Sequence, residues 1–304
     1  MRRFYYEDAE RPWEADEVLR KYEKQILPPP ILRKGQGQDD RRSHPARALD
    51  LGMGYGRNAV WLAERGYEVE GWEVEGRYVR EARQEWRRRR REEKRIPPPK
   101  LRGRDDIYVA RVRRGRLRAR QGDFARGDWR GPYDVVVISQ ALHPLKRSEA
   151  LRVLRRARRA LAPGGRLFLL AKLTRDKHVR RVAASKEWKR VRGERNTWRR
   201  DIRKAKNDPA RAGRKSAQRQ PEFHPGRRRR RWRLLSALTG GEIRRALRAP
   251  LRQGFGGRGL RLVEYREVVL RSDWEENEVV THTVAEVVAE KGHKDTKPRR
   301  RVSG

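Results

Sequence analysis

The stretch LDLGMGYGRNAVWLAERG, residues 49–66, decides the fold class of this chain. An apolar segment that includes Asp50 leads into three glycines at alternate positions, Gly52, Gly54 and Gly56, and then into a helix-like run. Glycines at such a turn let a ligand approach the backbone, and the helix start offers free N–H groups and the positive end of its dipole. The stretch therefore predicts a strand, a ligand-binding loop and a helix in succession.

Strand-like and helix-like stretches alternate around this loop, a pattern that predicts an α/β fold. Strands are predicted in RALDLG, YEVEGWEV, YDVVVIS and RLFLLAKL. A further strand is predicted at the end of DIYVARVRRGRLRARQGD, which could be a hairpin that leads into it. Helices are predicted over GRNAVWLAERG, EGRYVREARQEWRRRRREEKR, SEALRVLRRARRALAPGG and TGGEIRRALRAPL. Two final strands, LRLVEYREVVLR and EVVTHTVAEVVAEK, are long enough to pair antiparallel. The predicted architecture is a Rossmann-like, doubly wound, mostly parallel sheet with an antiparallel terminal strand pair and basic insertions.

Three further regions surround or interrupt the predicted main domain, which comprises residues 46–173 and 234–291. Residues 1–45 are predicted to form an N-terminal helical segment, and residues 292–304 a disordered tail. Residues 174–233 are a basic insertion, because they hold 24 Lys or Arg against 6 Asp or Glu and are too long for a plain loop. Within the insertion, SKEWKRVRGERNTWRRDIRKAK is predicted to be partly helical and the remainder disordered.

The formal net charge of +40 allows two interpretations. Such a surface attracts polyanions through phosphate contacts, so nucleic acid is a possible partner of the basic insertions. The excess of 65 Arg over 16 Lys is also what compositional bias of a genome produces without any such partner. Composition alone leaves both interpretations open, and it does not define an oligomeric state.

Several classes of site and location are excluded or disfavoured by composition. The chain has no cysteine, so disulfides, thiolate metal sites and cysteine nucleophiles are ruled out. Its six histidines show no metal-ligand spacing, and the sequence therefore predicts no metal. No apolar run approaches the roughly 18 residues that a membrane span requires, so we expect a cytoplasmic protein that does not contact a membrane.

The glycine loop favours S-adenosylmethionine over a dinucleotide. Dinucleotide loops follow the pattern GxGxxG, whereas loops that bind S-adenosylmethionine follow (D/E)xGxGxG. Here Asp50, Gly52, Gly54 and Gly56 fit the second pattern, and Arg57 follows them. A carboxylate at Asp50 suits the ammonium group of a bound methionine but would repel a pyrophosphate.

Other candidate cofactor residues follow the predicted strands. Glu73 ends the second strand, where an acid can accept hydrogen bonds from both ribose hydroxyls. Asp123 and Phe124 follow the third strand. Asp123 can accept a hydrogen bond from the adenine amino group, or else accept one within a turn, and Phe124 can pack against the adenine ring. Asn58 either contacts the cofactor or caps the helix. Ser139 ends the fourth strand, over the crevice where open α/β sheets bind ligands.

In its motifs the chain resembles the class I S-adenosylmethionine-dependent methyltransferases. LDLGMGYGRN, VEGWEVE, QGDF, YDVVVISQALHPL and LAPGGRLFLL stand in family order and spacing. Within the family, GRNAVWLAERGYEVEG, VTHTVAEVVAEK and RPW are most similar to the tellurite-resistance and thiopurine-type small-molecule branch. Met53 replaces a frequent Cys, Glu73 replaces a frequent Asp, and the basic insertions are not part of the usual pattern. The resemblance implies a methyltransferase enzyme with S-adenosylmethionine as its cofactor.

The acceptor is the open question at this point. The branch resemblance implies a small-molecule acceptor such as a thiol or a chalcogen, and the alternative is an RNA or DNA methyltransferase whose basic insertions bind phosphates. Trp13, Gln140 and Lys172 are candidate substrate residues, since motif order places them near the crevice mouth. His143 is the candidate catalytic base, or else a wall of the pocket. Without Cys or an NPPY-like stretch, pyrimidine carbon-5 and exocyclic amine methylation are disfavoured, whereas ribose and ring-nitrogen methylation stay possible.

Overall fold

The strand that precedes the glycine loop lies inside an eight-stranded sheet. The computed structural model describes residues 2–4, 13–26, 46–95, 115–201, 232–248, 260–275 and 278–292. In spatial order the strands are β1 (Arg2–Phe4), β10 (Arg261–Glu275), β11 (Glu278–Glu290), β6 (Leu161–Lys172), β5 (Tyr133–Ser139), β2 (Arg47–Leu51), β3 (Glu68–Glu73) and β4 (Arg116–Gln121). All neighbours pair in parallel except β11, which runs antiparallel to both β10 and β6. The predicted doubly wound sheet and its antiparallel terminal pair are confirmed.

Helices cover both faces of this sheet. They are α1 (Glu17–Lys21), α2 (Glu23–Ile26), α3 (Arg57–Glu64), α4 (Gly76–Arg95), α5 (Arg147–Ala160), α6 (Lys177–Ala184) and α7 (Gly240–Arg248). One core cluster joins α5 and α7 to the sheet, and a second joins α1, α2, α3 and α4 to its other face. Strand β5 is buried on both faces, from Val135 to Ile138, which explains its unbroken run of Val and Ile.

The order of the sheet places a ligand crevice beside the glycine loop. From β2 the chain proceeds outward to β3 and β4, and it then returns to add β5 and β6 on the other side of β2. In open α/β sheets the carboxyl ends of the two strands at this reversal diverge, and ligands bind between them. The end of β2 leads into the glycine loop, and the end of β5 leads into Gln140.

The basic insertion and the residues directly after it form a second, smaller sheet, and residues 185–201, the described part of the predicted helical stretch, contain strands instead of a helix. Strands β7 (Lys189–Arg190), β8 (Thr197–Asp201) and β9 (Trp232–Ser236) pair antiparallel, and we call them the cap sheet. Its core is Trp198 packed with Leu235 and with Val179 of α6. Strand β8 has the sequence TWRRD, in which Trp198 is the one apolar residue, so the sequence shows no apolar alternation that would indicate a strand.

The remaining differences concern segment ends and the N-terminal region. Residues 2–4 form a strand rather than a helix, and helices occupy only parts of 13–26. Helix α5 ends at Ala160, before the predicted Pro-Gly-Gly stop, because Leu161 is already extended and begins β6. The predicted hairpin before β4, the predicted disorder beyond Asp201 and the predicted tail lie outside the described residues.

A buried arginine ties α5 to the end of α7. The side chain of Arg158 is 3% exposed, and its Nη1 donates to the carbonyls of Ala246 at 3.1 Å and Leu247 at 3.4 Å. These carbonyls lie in the last turn of α7, where they have no partner within the helix and where a cation is favoured by the dipole.

We expect Arg158→Ala to lower the free energy of unfolding by about 2 kcal/mol, because the buried carbonyl of Ala246 loses a charged donor, whereas the carbonyl of Leu247 still accepts from the N–H of Leu260. Urea denaturation followed by circular dichroism measures the change. Arg159→Ala is the matched control, since the neighbouring side chain is exposed and its loss should cost less than about 0.5 kcal/mol. Equal effects of the two substitutions would contradict the capping role.

Candidate active site

The three loop glycines adopt left-handed backbone conformations but serve different purposes. Their φ angles are +70° at Gly52, +54° at Gly54 and +88° at Gly56. A Cβ at Gly52 would lie 2.4 Å from the Cβ of Ala141, and one at Gly56 would lie 2.6 Å from the Cβ of Ala82. A Cβ at Gly54 would meet no atom within 4 Å. Gly52 and Gly56 are therefore required for packing, whereas Gly54 borders open space at the crevice.

Asp50 is a buried acid at the base of this loop. Its side chain is 1% exposed, and within the described part of the chain its Oδ2 atom has no hydrogen-bond partner. Burial, together with the nearby carboxylates of Asp16 and Glu73, raises the pKa of Asp50 to about 8, against smaller opposing effects of Arg57 and of a hydrogen bond from the backbone of Ala59. An orphaned carboxyl among other acids favours a cationic or hydrogen-donating ligand.

Glu73 ends β3 and its carboxylate faces the loop. Its Oε2 accepts a hydrogen bond from the backbone N–H of Gly54 at 3.0 Å, and its Oε1 accepts one from Glu75 at 2.9 Å. The side chain is 8% exposed, and burial raises its pKa despite these backbone donors. Each carboxylate oxygen can accept a second hydrogen bond, so both can still receive hydroxyl donors of a ligand.

Asn58 contacts the N-terminal segment, which sequence reasoning did not predict. Its Oδ1 accepts from the backbone N–H of Asp16 at 2.8 Å, and its Nδ2 donates to Asp16 Oδ2 at 2.7 Å. Arg57 adds an ion pair to Asp16 at 3.3 Å. The side chain of Asn58 thus fastens residues 13–26 to the start of α3 and places the Asp16 carboxylate near Asp50. The only sequence signal for Asp16 is its position directly before an amphipathic helix.

The strands on either side of the crevice carry the remaining cofactor candidates. Asp123 Oδ1 accepts from the N–H of Ala125 at 3.0 Å, so this acid does serve the turn after β4. Phe124 is buried, and its ring lies 3.3 Å from the position of a Cβ at Gly52. Ser139 is the partly exposed last residue of β5. The structure therefore brings the aromatic ring, though not a freely available Asp123, to the glycine loop.

The acceptor candidates follow the ends of β5 and β6. Gln140 adopts φ +49°, a conformation that non-glycine residues rarely take and that concentrates at functional sites. His143 is partly buried, and its carbonyl accepts from the N–H of Ser236 in the cap sheet at 2.7 Å. Lys172 ends β6, two strands from β2, and is 9% exposed. Trp13 is partly buried, three residues before Asp16.

The described residues give two negative findings about other chemistry. They contain no group of three or more His, Asp or Glu side chains arranged to hold a metal ion. No helix among them combines the length and the apolar character needed to cross a bilayer.

These residues fit the cofactor that the sequence motifs indicate. The open space at Gly54 admits a ligand against the backbone, and the orphaned Asp50 carboxyl suits an ammonium group. Glu73 has the acceptor capacity for a ribose diol, and Phe124 offers a ring face beside Gly52. The arrangement can hold a cationic nucleoside against the loop.

Comparison with known proteins places the chain in a family. Residues 20–205, more than half of the chain, match the family described as a methyltransferase domain. None of the curated proteins matches the chain. A solved structure of a methyltransferase dependent on S-adenosylmethionine from Methanosarcina mazei is 16% identical, with a TM-score of 0.49 over 92% of this chain and 99% of that one.

Two further solved structures resemble the chain at low identity. TehB from Haemophilus influenzae is 12% identical, with a TM-score of 0.47 over 82% of this chain and 58% of that one. The 1,6-didemethyltoxoflavin-N1-methyltransferase of Burkholderia thailandensis is 15% identical, with a TM-score of 0.40 over 82% of this chain and 72% of that one. With the family match and the fold, the chain belongs to the methyltransferase-domain family and is a class I S-adenosylmethionine-dependent methyltransferase.

Proposed function

We propose that the enzyme transfers the methyl group of S-adenosylmethionine to a small-molecule acceptor with a soft nucleophile, such as a thiol or a chalcogen. The observation that carries this proposal is that two chain segments outside the Rossmann-like sheet are fastened beside the crevice. The N-terminal segment is held by Asp16 and Asn58 on one side. The cap sheet is held by the β5–α5 connection on the other side.

The cofactor end of the proposed site uses the residues around the glycine loop. S-adenosylmethionine supplies an electrophilic methyl group on a sulfonium, and it also carries an ammonium group and a ribose diol. Asp50 would hold the ammonium group and Glu73 would accept hydrogen bonds from the diol, beside the open space at the backbone of Gly54. Phe124 would pack against the adenine.

At the acceptor end, alignment of the nucleophile with the methyl group and exclusion of water matter more than acid or base catalysis. Methyl transfer is an in-line displacement in which the sulfonium charge is lost, so the protein contributes mainly by orienting the nucleophile and excluding water. Gln140, with its strained backbone, and His143 would line this end, and His143 could also accept a proton from the acceptor. Trp13 and Lys172 remain candidates for acceptor contacts.

The cap sheet restrains the loop that carries these acceptor residues. Thr197 Oγ1 accepts from the N–H of Arg147 at 3.3 Å, and Glu194 accepts from the N–H of Ser148 at 3.1 Å. Ser236 supplies a third hydrogen bond, to the carbonyl of His143. A loop held at three points, with the N-terminal segment opposite, favours a narrow mouth. Such a mouth suits a small acceptor better than a folded nucleic acid.

A deletion of residues 202–231 tests the small-molecule proposal against the nucleic-acid alternative. Asp201 and Trp232 are register partners in the cap sheet, so an Asn-Gly turn can join them as a hairpin. The deletion removes 12 Lys or Arg and 2 Asp or Glu. We expect turnover of thiol and selenol acceptors, measured as S-adenosylhomocysteine formed, to change less than about twofold. The proposal would be contradicted if the full chain methylated RNA or DNA and the deletion variant did not.

Trp198→Ala serves as the second variant, because it removes the buried centre of the cap sheet. We expect it to lower kcat/KM for the acceptor at least tenfold while the affinity for S-adenosylmethionine stays within about twofold. If acceptor turnover were unaffected although the cap sheet had become sensitive to proteolysis, the cap sheet would have no part in the acceptor site.

A further inference from the structure

The outer edge of the sheet carries a basic groove that the methyltransferase reaction does not use. The groove lies between α4 and β4, which is the last strand at that side of the described sheet. It has a volume of about 400 Å³ and opens to solvent. Four of its lining residues are arginines, and a tryptophan lies among them: Arg83, Arg87, Arg118, Arg120 and Trp86. None of these residues belongs to the candidate cofactor or acceptor site.

The cations of the groove are only partly neutralised. Arg87 and Arg118 are exposed and have no carboxylate partner among the described residues. Arg83 donates to a backbone carbonyl, that of Ala119, at 2.6 Å, which leaves its charge uncompensated. Within the described ranges, Arg120 is the one arginine of the four that forms an ion pair, with Glu70 at 3.0 Å. The groove therefore presents a positive field to an incoming ligand.

The nearest acid on α4 does not cancel this field. Glu85 is 6% exposed and is held by Arg88 at 2.6 Å and by Arg89 at 2.7 Å. Hydrogen bonds and charges from these two arginines lower the pKa of Glu85 in spite of its burial. Because two arginines already share this one buried carboxylate, its negative charge does not offset the positive charge of the groove.

Trp86 gives the groove an aromatic surface among its cations. Part of the side chain packs against the core cluster beneath α4, and the rest lines the groove. The guanidinium of Arg90 also contacts this side chain, with its carbon 5.7 Å from the centroid of the Trp86 ring. Surfaces that bind single strands combine a positive track for the backbone with aromatic rings on which bases stack.

We propose that the groove between α4 and β4 binds single-stranded nucleic acid, with a base stacked on Trp86 and phosphates contacted by Arg87 and Arg118. An acidic peptide would match the charge but would leave the aromatic surface unused. A small apolar ligand would match the ring but would face four guanidinium groups. Single-stranded nucleic acid offers anions and flat rings in one molecule.

Fluorescence anisotropy with a labelled 12-nucleotide oligothymidylate tests the cationic part of the proposal. We expect Arg87→Gln with Arg118→Gln to weaken binding at least tenfold in 150 mM salt. The slope of log K against log salt should fall by about 1.4, or 0.7 for each lost phosphate contact. Arg245→Gln with Arg248→Gln is the matched control, because it removes two exposed charges from α7. Equal losses in both double variants would overturn the proposal in favour of binding by net charge.

Trp86→Leu tests the aromatic part. We expect a loss of about 5- to 150-fold for the oligothymidylate, the range for one stacked base. Binding of an abasic oligomer of the same length should not change. Unchanged oligothymidylate binding by Trp86→Leu, or displacement of the oligomer by polyglutamate at equal charge concentration, would overturn the proposal. Calorimetry of S-adenosylmethionine binding separates this result from the proposed function, since no groove variant should alter it.

Discussion

Gly54→Val should weaken binding of S-adenosylmethionine by about 100-fold or more. A Cβ at Gly54 meets no protein atom within 4 Å, so the valine side chain would occupy the space in which the cofactor lies against the loop. The substitution also places a branched residue at φ +54°, which costs about 1–2 kcal/mol in folding stability. Isothermal titration calorimetry of the variant, with folding checked by circular dichroism, measures the affinity.

Gly193→Val separates the two effects of the Gly54 substitution. Gly193 has φ +76° in the turn between β7 and β8, and a Cβ there also meets nothing within 4 Å. We expect a similar loss of folding stability at both positions, whereas only the Gly54 variant should lose cofactor affinity. Wild-type affinity in the Gly54 variant would show that the glycine loop does not hold the cofactor.

The glycine loop also explains why most of the fold could be predicted from sequence. A buried strand, alternate glycines and a helix follow one another within residues 49–66, so the information for this unit is local. The helix runs over Arg57–Glu64, inside the predicted stretch, and Gly66 follows it with φ +90°. The long apolar runs of β5 and β6 and the terminal strand pair are equally local signals, and all of these were confirmed.

The parts that sequence reasoning missed depend on distant contacts. Strand β8 holds one apolar anchor, Trp198, among arginines, and its pairing with β9 crosses 30 residues that lie outside the described structure. The hydrogen bond between Asn58 and Asp16 joins residues 42 positions apart. From sequence alone, each of these residues can equally be interpreted as the cap of its own helix. High arginine content adds to the difficulty, because it interrupts the apolar periodicity by which strands are recognised.

The candidate site was predictable to a different degree for each residue. The positions of Asp50, Glu73 and Gly54 follow from strand ends, since parallel strands bring their carboxyl ends to one edge. The orientation of each side chain, and its hydrogen-bond partners, do not follow from strand order. The structure commits Asn58 to Asp16 and one Asp123 oxygen to a turn, so their direct contact with the cofactor stays a prediction.

A change in protonation of Asp50 is the second large effect that we expect. Its pKa is raised from 3.8 to about 8, chiefly by burial, so the folded protein retains a proton that the unfolded chain releases above about pH 4. The stability contributed by this proton is fully present below pH 4 and is lost as pH rises toward 8, by up to about 1.4 kcal/mol per pH unit. Asp50→Asn, which is neutral and similar in shape, should flatten this decline between pH 5 and pH 8.

Carboxylates with the opposite shift do not obscure that window. Arg88 and Arg89 lower the pKa of Glu85, and Arg147 together with Thr239 lowers the pKa of Glu242. Their stabilising effect is present above about pH 4.5 and is lost only as pH falls further. Thermal unfolding of wild type and Asp50→Asn at matched pH values isolates the contribution of Asp50, because the two proteins differ only at this residue.

Cofactor binding should release this proton from Asp50. An ammonium group beside the buried carboxyl favours its ionised form, so affinity for S-adenosylmethionine should rise with pH until about pH 8. Calorimetry at pH 7 in two buffers of different ionisation enthalpy counts the protons, and we expect close to one per cofactor for wild type. Asp50→Asn should release none and bind with little dependence on pH. Zero proton release by wild type would mean that the carboxyl is already ionised or that the ammonium group binds elsewhere.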